Sequence, residues 1–152
     1  MGPLEVVVLV IGILLFVAML LAGIFLLGGR ATTMMIEKVE REGVLLRTGR
    51  RTIAVTLRDF RDVGRYQSYR RSLNRGEVLI VTNAVAVIAG LFGIRLPLDD
   101  LPHAQVWLDG REVHLRTSKL PRGTGTIEIA FEADDPTLWL RTLNAHGARP
   151  PA

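Results

Sequence analysis

Three histidines are the residues best suited to bind a metal or move a proton, and their spacing matches no known metal-binding pattern. His103 falls on an expected loop, His114 on an expected strand and His146 near the C-terminus. The chain has no cysteine, which excludes disulfides, thiolate ligands and a cysteine nucleophile. We therefore expect three surface or rim histidines, with no metal ligands among them.

Pairs of neighbouring carboxylates are the other candidates for acid–base chemistry. The pair Asp99-Asp100 ends an expected strand, where adjacent side chains point in opposite directions. The pair Asp134-Asp135 precedes Pro136 and is typical of a helix cap. Gly123-Thr124-Gly125 is too short for a phosphate-binding loop and does not lead from a strand into a helix. The sequence thus predicts turns and caps here, no catalytic residue, no cofactor and no enzyme activity.

A basic and aromatic segment at 58–71 is the clearest candidate for binding. Guanidinium groups suit anionic headgroups, and tyrosine suits the membrane interface, where one end of its side chain is wet. The candidate lipid- or partner-binding residues are Arg58, Arg61, Arg65, Tyr66, Tyr69, Arg70 and Arg71. A solvated face, on which these arginines pair with Asp59 and Asp62, is an alternative that the sequence leaves open.

Positive charge is concentrated in one half of the chain. From Arg30 to Arg75 there are twelve basic and five acidic residues, whereas from Gly76 to the end there are seven basic and nine acidic. The basic half follows directly after an apolar N-terminal stretch. This position favours an anionic membrane surface as a partner and makes nucleic acid an unexpected one.

The apolar stretch predicts a single-pass transmembrane helix over 6–28, after a short tail at 1–5. Every residue from Val6 to Leu27 is apolar or glycine, and about 20 such residues cross a bilayer. A cleaved signal peptide is the alternative, but the first residues carry no Lys or Arg and the apolar run is too long. Because basic residues follow the span and none precedes it, we expect the N-terminus outside and the domain in the cytoplasm, at the plasma membrane. The spacing of Ala18 and Ala22 is compatible with a weak homodimer through this helix.

Beyond the span we expect a connector at 29–42, whose residues are suited to extending the membrane helix. A mainly-β domain follows the connector. From Gly43 the apolar pattern changes to a period of two, which indicates half-buried strands. A hairpin is predicted around Thr82-Asn83, and a second around Asp109-Gly110, the strongest short turn signal.

In the C-terminal part of the domain, the spacing of apolar residues changes from that of a strand to that of a helix. Asp135 and Pro136 predict the start of a helix that ends near Ala145 and places Trp139 on its apolar face. We expect a disordered tail at 147–152, because it is short and contains two prolines. The predicted fold over 43–146 is therefore about seven antiparallel strands closed by one C-terminal helix.

Three segments follow one another in a characteristic order: the strand from Gly76 to Thr82 with the apolar strand 85–88, the stretch from Ile94 to Leu101, and the closing Asp-Pro-x-x-Trp helix. Together they resemble the GRAM and bacterial pleckstrin-homology-like (PH-like) domains. The resemblance implies a scaffold that binds phospholipid or protein and does not catalyse a reaction. Asn83-Ala84 stands where a basic turn is common in that family, so the lipid site of that turn is not carried over.

Two functions follow from these observations and remain open. The first is a non-enzymatic, membrane-anchored adaptor whose cytoplasmic domain binds a protein partner, anionic lipid headgroups, or both. The second is an accessory subunit of a larger membrane protein complex, in which the helix packs beside other helices. The sequence does not name the partner.

Overall fold

A computed structural model describes residues 2–90 and 92–152, and Met1 of the expected N-terminal tail lies outside them. The first element, α1, is one uninterrupted helix over Pro3–Glu40. Its 38 residues rise about 1.5 Å each, which gives a rod about 57 Å long. Among the described residues it is the one helix long and apolar enough to cross a membrane. The connector expected at 29–42 therefore continues the helix as far as Glu40.

An antiparallel sheet follows, curled into a half-barrel. Seven strands lie side by side in the order β5-β4-β3-β2-β8-β7-β6, and the short β1 pairs with β3. The strands are β1 (Val44–Arg47), β2 (Arg51–Asp62), β3 (Arg65–Val81), β4 (Ala84–Ala89), β5 (Phe92–Pro97), β6 (Ala104–Asp109), β7 (Glu112–Thr117) and β8 (Thr124–Glu132). A 3-10 helix, Leu98–His103, connects β5 to β6. Both predicted hairpins, β3–β4 and β6–β7, are confirmed.

Strand β3 curls the sheet because it belongs to both of its halves. Its N-terminal part pairs with β2, and its C-terminal part pairs with β1 and β4. The change falls at Arg75, whose φ is +55°, and at Gly76. A Cβ atom on Gly76 would lie 2.7 Å from the Cδ1 atom of Ile53, so only glycine allows this close approach.

Strand β4 and the adjoining end of β3 are buried on both faces, which explains their uninterrupted apolar sequences. One face, with Val78 and Val87, lines the interior of the half-barrel. The opposite face, with Leu79 and Ile88, packs against Ile36 of α1, which is only 5% exposed. The last turns of α1 are thus part of the packed domain.

The second helix, α2 (Pro136–Ala145), closes the half-barrel as predicted. The Oδ1 atom of Asp135 accepts a hydrogen bond from the backbone N–H of Leu138 at 3.1 Å, which caps the first turn. Trp139 is buried and meets Phe131 edge to face, with ring centroids 4.9 Å apart.

The expectation of a disordered tail from Gly147 is wrong for its first residues. Ala148 is buried, and Arg149 exchanges backbone hydrogen bonds with Ala104 (3.0 Å) and Val106 (2.8 Å). Strand β6 lies at the edge of the sheet, so its outer N–H and C=O groups need a partner. The tail supplies one, which covers this edge.

Candidate binding surface

The predicted binding residues lie on the two arms of one long hairpin, formed by β2 and β3 around the turn at Val63-Gly64. Opposite residues of antiparallel strands share a face. Thr56 stands opposite Arg70, and Leu57 opposite Tyr69. The basic segment is therefore a ribbon of paired strands, with alternate residues on opposite sides.

The ribbon divides the candidate residues between its two faces. Tyr69 and Arg71 lie on the inner side of the ribbon. Arg65 is an even number of residues from both along β3, so it lies on the same side, near the turn. The outer face, continuous with the convex side of the sheet, carries Arg58, Arg61, Tyr66 and Arg70. A bulge at Arg58-Asp59, where Asp59 has a φ of +52°, lets Arg61 share a face with Tyr66. The structure thus forms two smaller basic groups in place of one cluster.

Each group contains one stacked arginine–tyrosine pair. The Cζ atom of Arg61 lies 5.4 Å from the ring centroid of Tyr66, and that of Arg71 lies 4.9 Å from the centroid of Tyr69. Such contacts hold a guanidinium group in place without neutralising its charge. Both pairs therefore keep their capacity to bind an anion.

The two hairpin carboxylates do not neutralise the arginines. Asp59 accepts a hydrogen bond from the hydroxyl of Tyr66 at 2.9 Å. Asp62 forms an ion pair with Arg122 on the loop before β8, at 2.7 Å. Within the described part of the chain, no carboxylate oxygen lies within 4 Å of the five hairpin guanidinium groups. The alternative of a self-neutralised face has no support in these contacts.

An apolar groove of about 360 Å³ opens beside the inner face of the hairpin. Phe60 and Tyr69 of the hairpin form one wall, Phe92 and Ile94 of the edge strand β5 form another, and Leu120 contributes from the loop before β8. Arg71, stacked on Tyr69, stands beside this wall, and Arg95 and Arg122 line the groove itself, an arrangement that suits a ligand with an anionic group and an apolar part.

The junction between helix and domain is held by ion pairs that the sequence analysis missed. Nε of Arg47 lies 2.6 Å from the buried carboxylate of Glu77, and its Nη1 lies 2.7 Å from Glu40 at the end of α1. The hydrogen bonds to Glu77 and Glu40 raise the pKa of Arg47. Arg95 of β5 binds Glu42 at 2.5 Å, and this bond lowers the pKa of Glu42.

The same junction brings together three arginines from distant parts of the sequence. Arg30 lies on α1, Arg50 just before β2, and Arg75 at the bend of β3. The Cζ atom of Arg75 lies 5.5 Å from the ring centroid of Phe25, near the end of the apolar run. Only the regional excess of positive charge pointed to these residues, since no local motif joins them.

The remaining candidates for chemistry have structural roles. His114 stacks on Trp107, with ring centroids 5.1 Å apart, and its Nδ1 atom lies 3.3 Å from Glu128. The pair Asp99-Asp100 lies in the first turn of the 3-10 helix. Within residues 2–90 and 92–152, no group of three or more His, Cys, Asp or Glu side chains is arranged to hold a metal ion.

A scan of protein-family models and a search of curated proteins found no match to this chain. The geometry of the chain defines its class: a long apolar helix packed into a curled, mainly-β domain with a basic hairpin.

Proposed function

We propose that this chain is a single-pass, membrane-anchored adaptor with a cytoplasmic domain of the GRAM or PH-like type, which contacts anionic lipid headgroups through its β2–β3 hairpin. The observation that carries the proposal is the set of five hairpin arginines without a carboxylate partner, on a domain fixed to a helix able to span a membrane.

The architecture supports a binding role. A path of seven antiparallel strands followed by a closing helix agrees with the scaffold that the sequence resembles. That scaffold is used for binding lipids or proteins. Fold alone does not define function, and the position and charge of the hairpin are what favour lipid as its ligand.

The position of the hairpin favours the membrane surface as its partner. Arg75, where the β2–β3 ribbon joins the rest of the sheet, contacts Phe25 within the apolar run of α1. The ribbon therefore starts at the membrane-proximal edge of the domain. At its tip Val63 is 93% exposed, between the basic residues Arg61 and Arg65, and Tyr66 is 60% exposed. An exposed apolar tip flanked by arginine and tyrosine suits the headgroup region.

The energetics favour occupancy even if each contact is weak. A basic side chain near an anionic leaflet contributes on the order of 1 kcal/mol. Because the anchor holds the domain at the surface, the hairpin does not have to find the membrane by diffusion. Two or three arginines on one face are then enough to hold the ribbon against the lipid.

The test places a probe at the tip of the hairpin in the full-length chain. The chain has no cysteine, so Val63→Cys can be labelled uniquely with a fluorophore after reconstitution into nanodiscs. Headgroup-attached quenchers should quench it in discs that contain anionic lipid and much less in neutral discs. The effect should fade as salt shortens the screening length below about 8 Å. A label at Asp109, in the turn of the β6–β7 hairpin and away from the tip at Val63, is the control position.

Charge variants decide whether the arginines are responsible. One triple Gln variant changes hairpin residues Arg65, Arg70 and Arg71. A matched triple changes three exposed arginines outside the hairpin, namely Arg111, Arg141 and Arg149. The first leaves Arg58 and Arg61 on the hairpin, so it should reduce the quenching strongly, and the second should leave it intact. Equal quenching in all three proteins would reject the lipid contact and direct attention to a protein partner, in an adaptor or in a larger complex.

A further inference from the structure

A second basic site lies where the membrane helix meets the domain. A cleft of about 490 Å³ opens between α1 and the bend of β3. Phe25, Leu26 and Met34 give it an apolar wall, and Arg30 and Arg75 give it a basic one. Thr33 and Glu37 complete the lining on the helix side, with Gly29 between Phe25 and Thr33.

The cations of this cleft have no anionic partner in the protein. Among the described residues, no carboxylate oxygen lies within 4 Å of the guanidinium groups of Arg30, Arg50 or Arg75, including that of Glu37 on the rim. Two positive charges in the lining, with Arg50 beside them, therefore stand against the one negative charge of Glu37. An anion with several acceptor oxygens would satisfy the unused donors.

Arg75 is held in its position by its neighbours. Nη1 of Arg50 donates a hydrogen bond to the backbone carbonyl of Arg75 at 3.2 Å, and Nη2 of Arg50 lies 3.3 Å from the Thr33 hydroxyl. On its other side, the guanidinium group of Arg75 stacks over Phe25. Because its backbone conformation is one that side chains rarely adopt, Arg75 depends on these contacts to keep it there.

The depth of the cleft along α1 identifies the type of anion. Phe25 and Leu26 belong to the apolar run that ends at Leu27, and Arg30 follows within one helical turn. The apolar wall thus lies at the level of the acyl chains and the basic wall at the level of the headgroups. Gly29 leaves space between Phe25 and Thr33, since a Cβ atom there would meet nothing within 4 Å.

We propose that this cleft is a binding site for one anionic phospholipid, whose phosphate lies between Arg30 and Arg75 while an acyl chain runs along Phe25 and Leu26. The site is separate from the hairpin and holds a single lipid in a defined place. It requires the membrane anchor of the proposed function but does not require the hairpin to touch the bilayer.

Native mass spectrometry of the full-length chain in mild detergent tests this site directly. Three compounds are added separately: phosphatidylglycerol, an anionic lipid; phosphatidylcholine, a lipid without net charge; and inorganic phosphate, a free anion. Comparing them distinguishes the effect of the headgroup charge from that of the acyl chains. We expect one tightly bound phosphatidylglycerol, weaker phosphatidylcholine and no comparable binding of phosphate. Changing Arg30 and Arg75 to Gln should weaken phosphatidylglycerol binding by roughly 25-fold, at about five-fold for each cation.

Control variants separate this site from the hairpin and from misfolding. The double variant Arg111→Gln/Arg141→Gln carries the same charge change away from the cleft and should bind as the wild type does. Lysine at positions 30 and 75 should restore most of the affinity. Gly29→Leu, which fills the cleft without changing charge, should lower it.

Three results would overturn the cleft assignment. They are equal affinity for both lipids, binding of inorganic phosphate as tight as that of lipid, or loss of the bound lipid in the hairpin triple variant but not in the cleft double variant. The last result would leave the proposed hairpin contact standing, so the two proposals can fail separately.

Discussion

Replacing Ile36 by alanine tests whether the membrane helix is part of the domain. Ile36 is 5% exposed and packs against Leu79, Val81, Ala84 and Ile88. The change removes three carbon atoms, worth about 0.8 kcal/mol each in transfer free energy, and leaves a cavity between two rigid elements. We expect a loss of about 3 kcal/mol, within the usual range of about 2–5 kcal/mol for such truncations.

The assay is thermal unfolding of the full-length chain in detergent, followed by near-ultraviolet circular dichroism. Both tryptophans, Trp107 and Trp139, lie in the β domain, so the signal reports that domain alone. For a domain of this size, a loss of about 3 kcal/mol lowers Tm by more than about 10 °C.

Met34→Ala is the matched control, because Met34 lies on the same stretch of α1 and is 69% exposed. Its effect should stay within about 0.5 kcal/mol. If Ile36→Ala unfolds at the same temperature as Met34→Ala and the wild type, the helix only touches the domain, and the position of the hairpin relative to the membrane is not fixed.

Three further predictions concern the closing helix, the topology and the junction. Trp139→Ala should destabilise the domain by about 3–5 kcal/mol in the same assay, and an unchanged Tm would mean that α2 is not part of the core. A cysteine at Ser118 should resist an impermeant maleimide in intact cells while one at Gly2 reacts, and the reverse pattern would place the domain outside. Arg95 holds the pKa of Glu42 below its usual value of 4.5, so the ion pair stabilises the fold above that pH and its contribution is lost as the pH falls through the lowered pKa. Glu42→Gln should accordingly flatten the decline of Tm on acidification, and a parallel decline in both proteins would contradict the assignment.

Local signals predicted much of the fold. The turn at Asp109-Gly110 and the cap at Asp135 each depend on a few neighbouring residues, and both are present. The apolar run at 78–81 indicated one strand of a hairpin, though not that α1 covers one of its faces.

The candidate site was harder to predict because its geometry depends on distant contacts. The bulge at Asp59 changes which residues share a face, and strict alternation cannot foresee it. Arg30, Arg50 and Arg75 meet only because Ile36 packs on the far side of β3 and β4. The pattern of residues within one segment cannot predict that these three arginines lie close together.

Because α1 is uninterrupted and packs on the domain, the orientation of the helix determines the orientation of the domain. The C-terminal end of α1 is fixed to the domain at Ile36 and Glu40, and Glu42 just beyond it pairs with Arg95. In a membrane, a change in the tilt or rotation of the helix would therefore turn the whole domain by the same angle. For a rod about 57 Å long, a tilt of about 20° moves one end sideways by roughly 20 Å relative to the other. In the proposed arrangement, bilayer thickness, or a neighbouring helix that alters the tilt, would thereby set which face of the hairpin is turned toward the lipid.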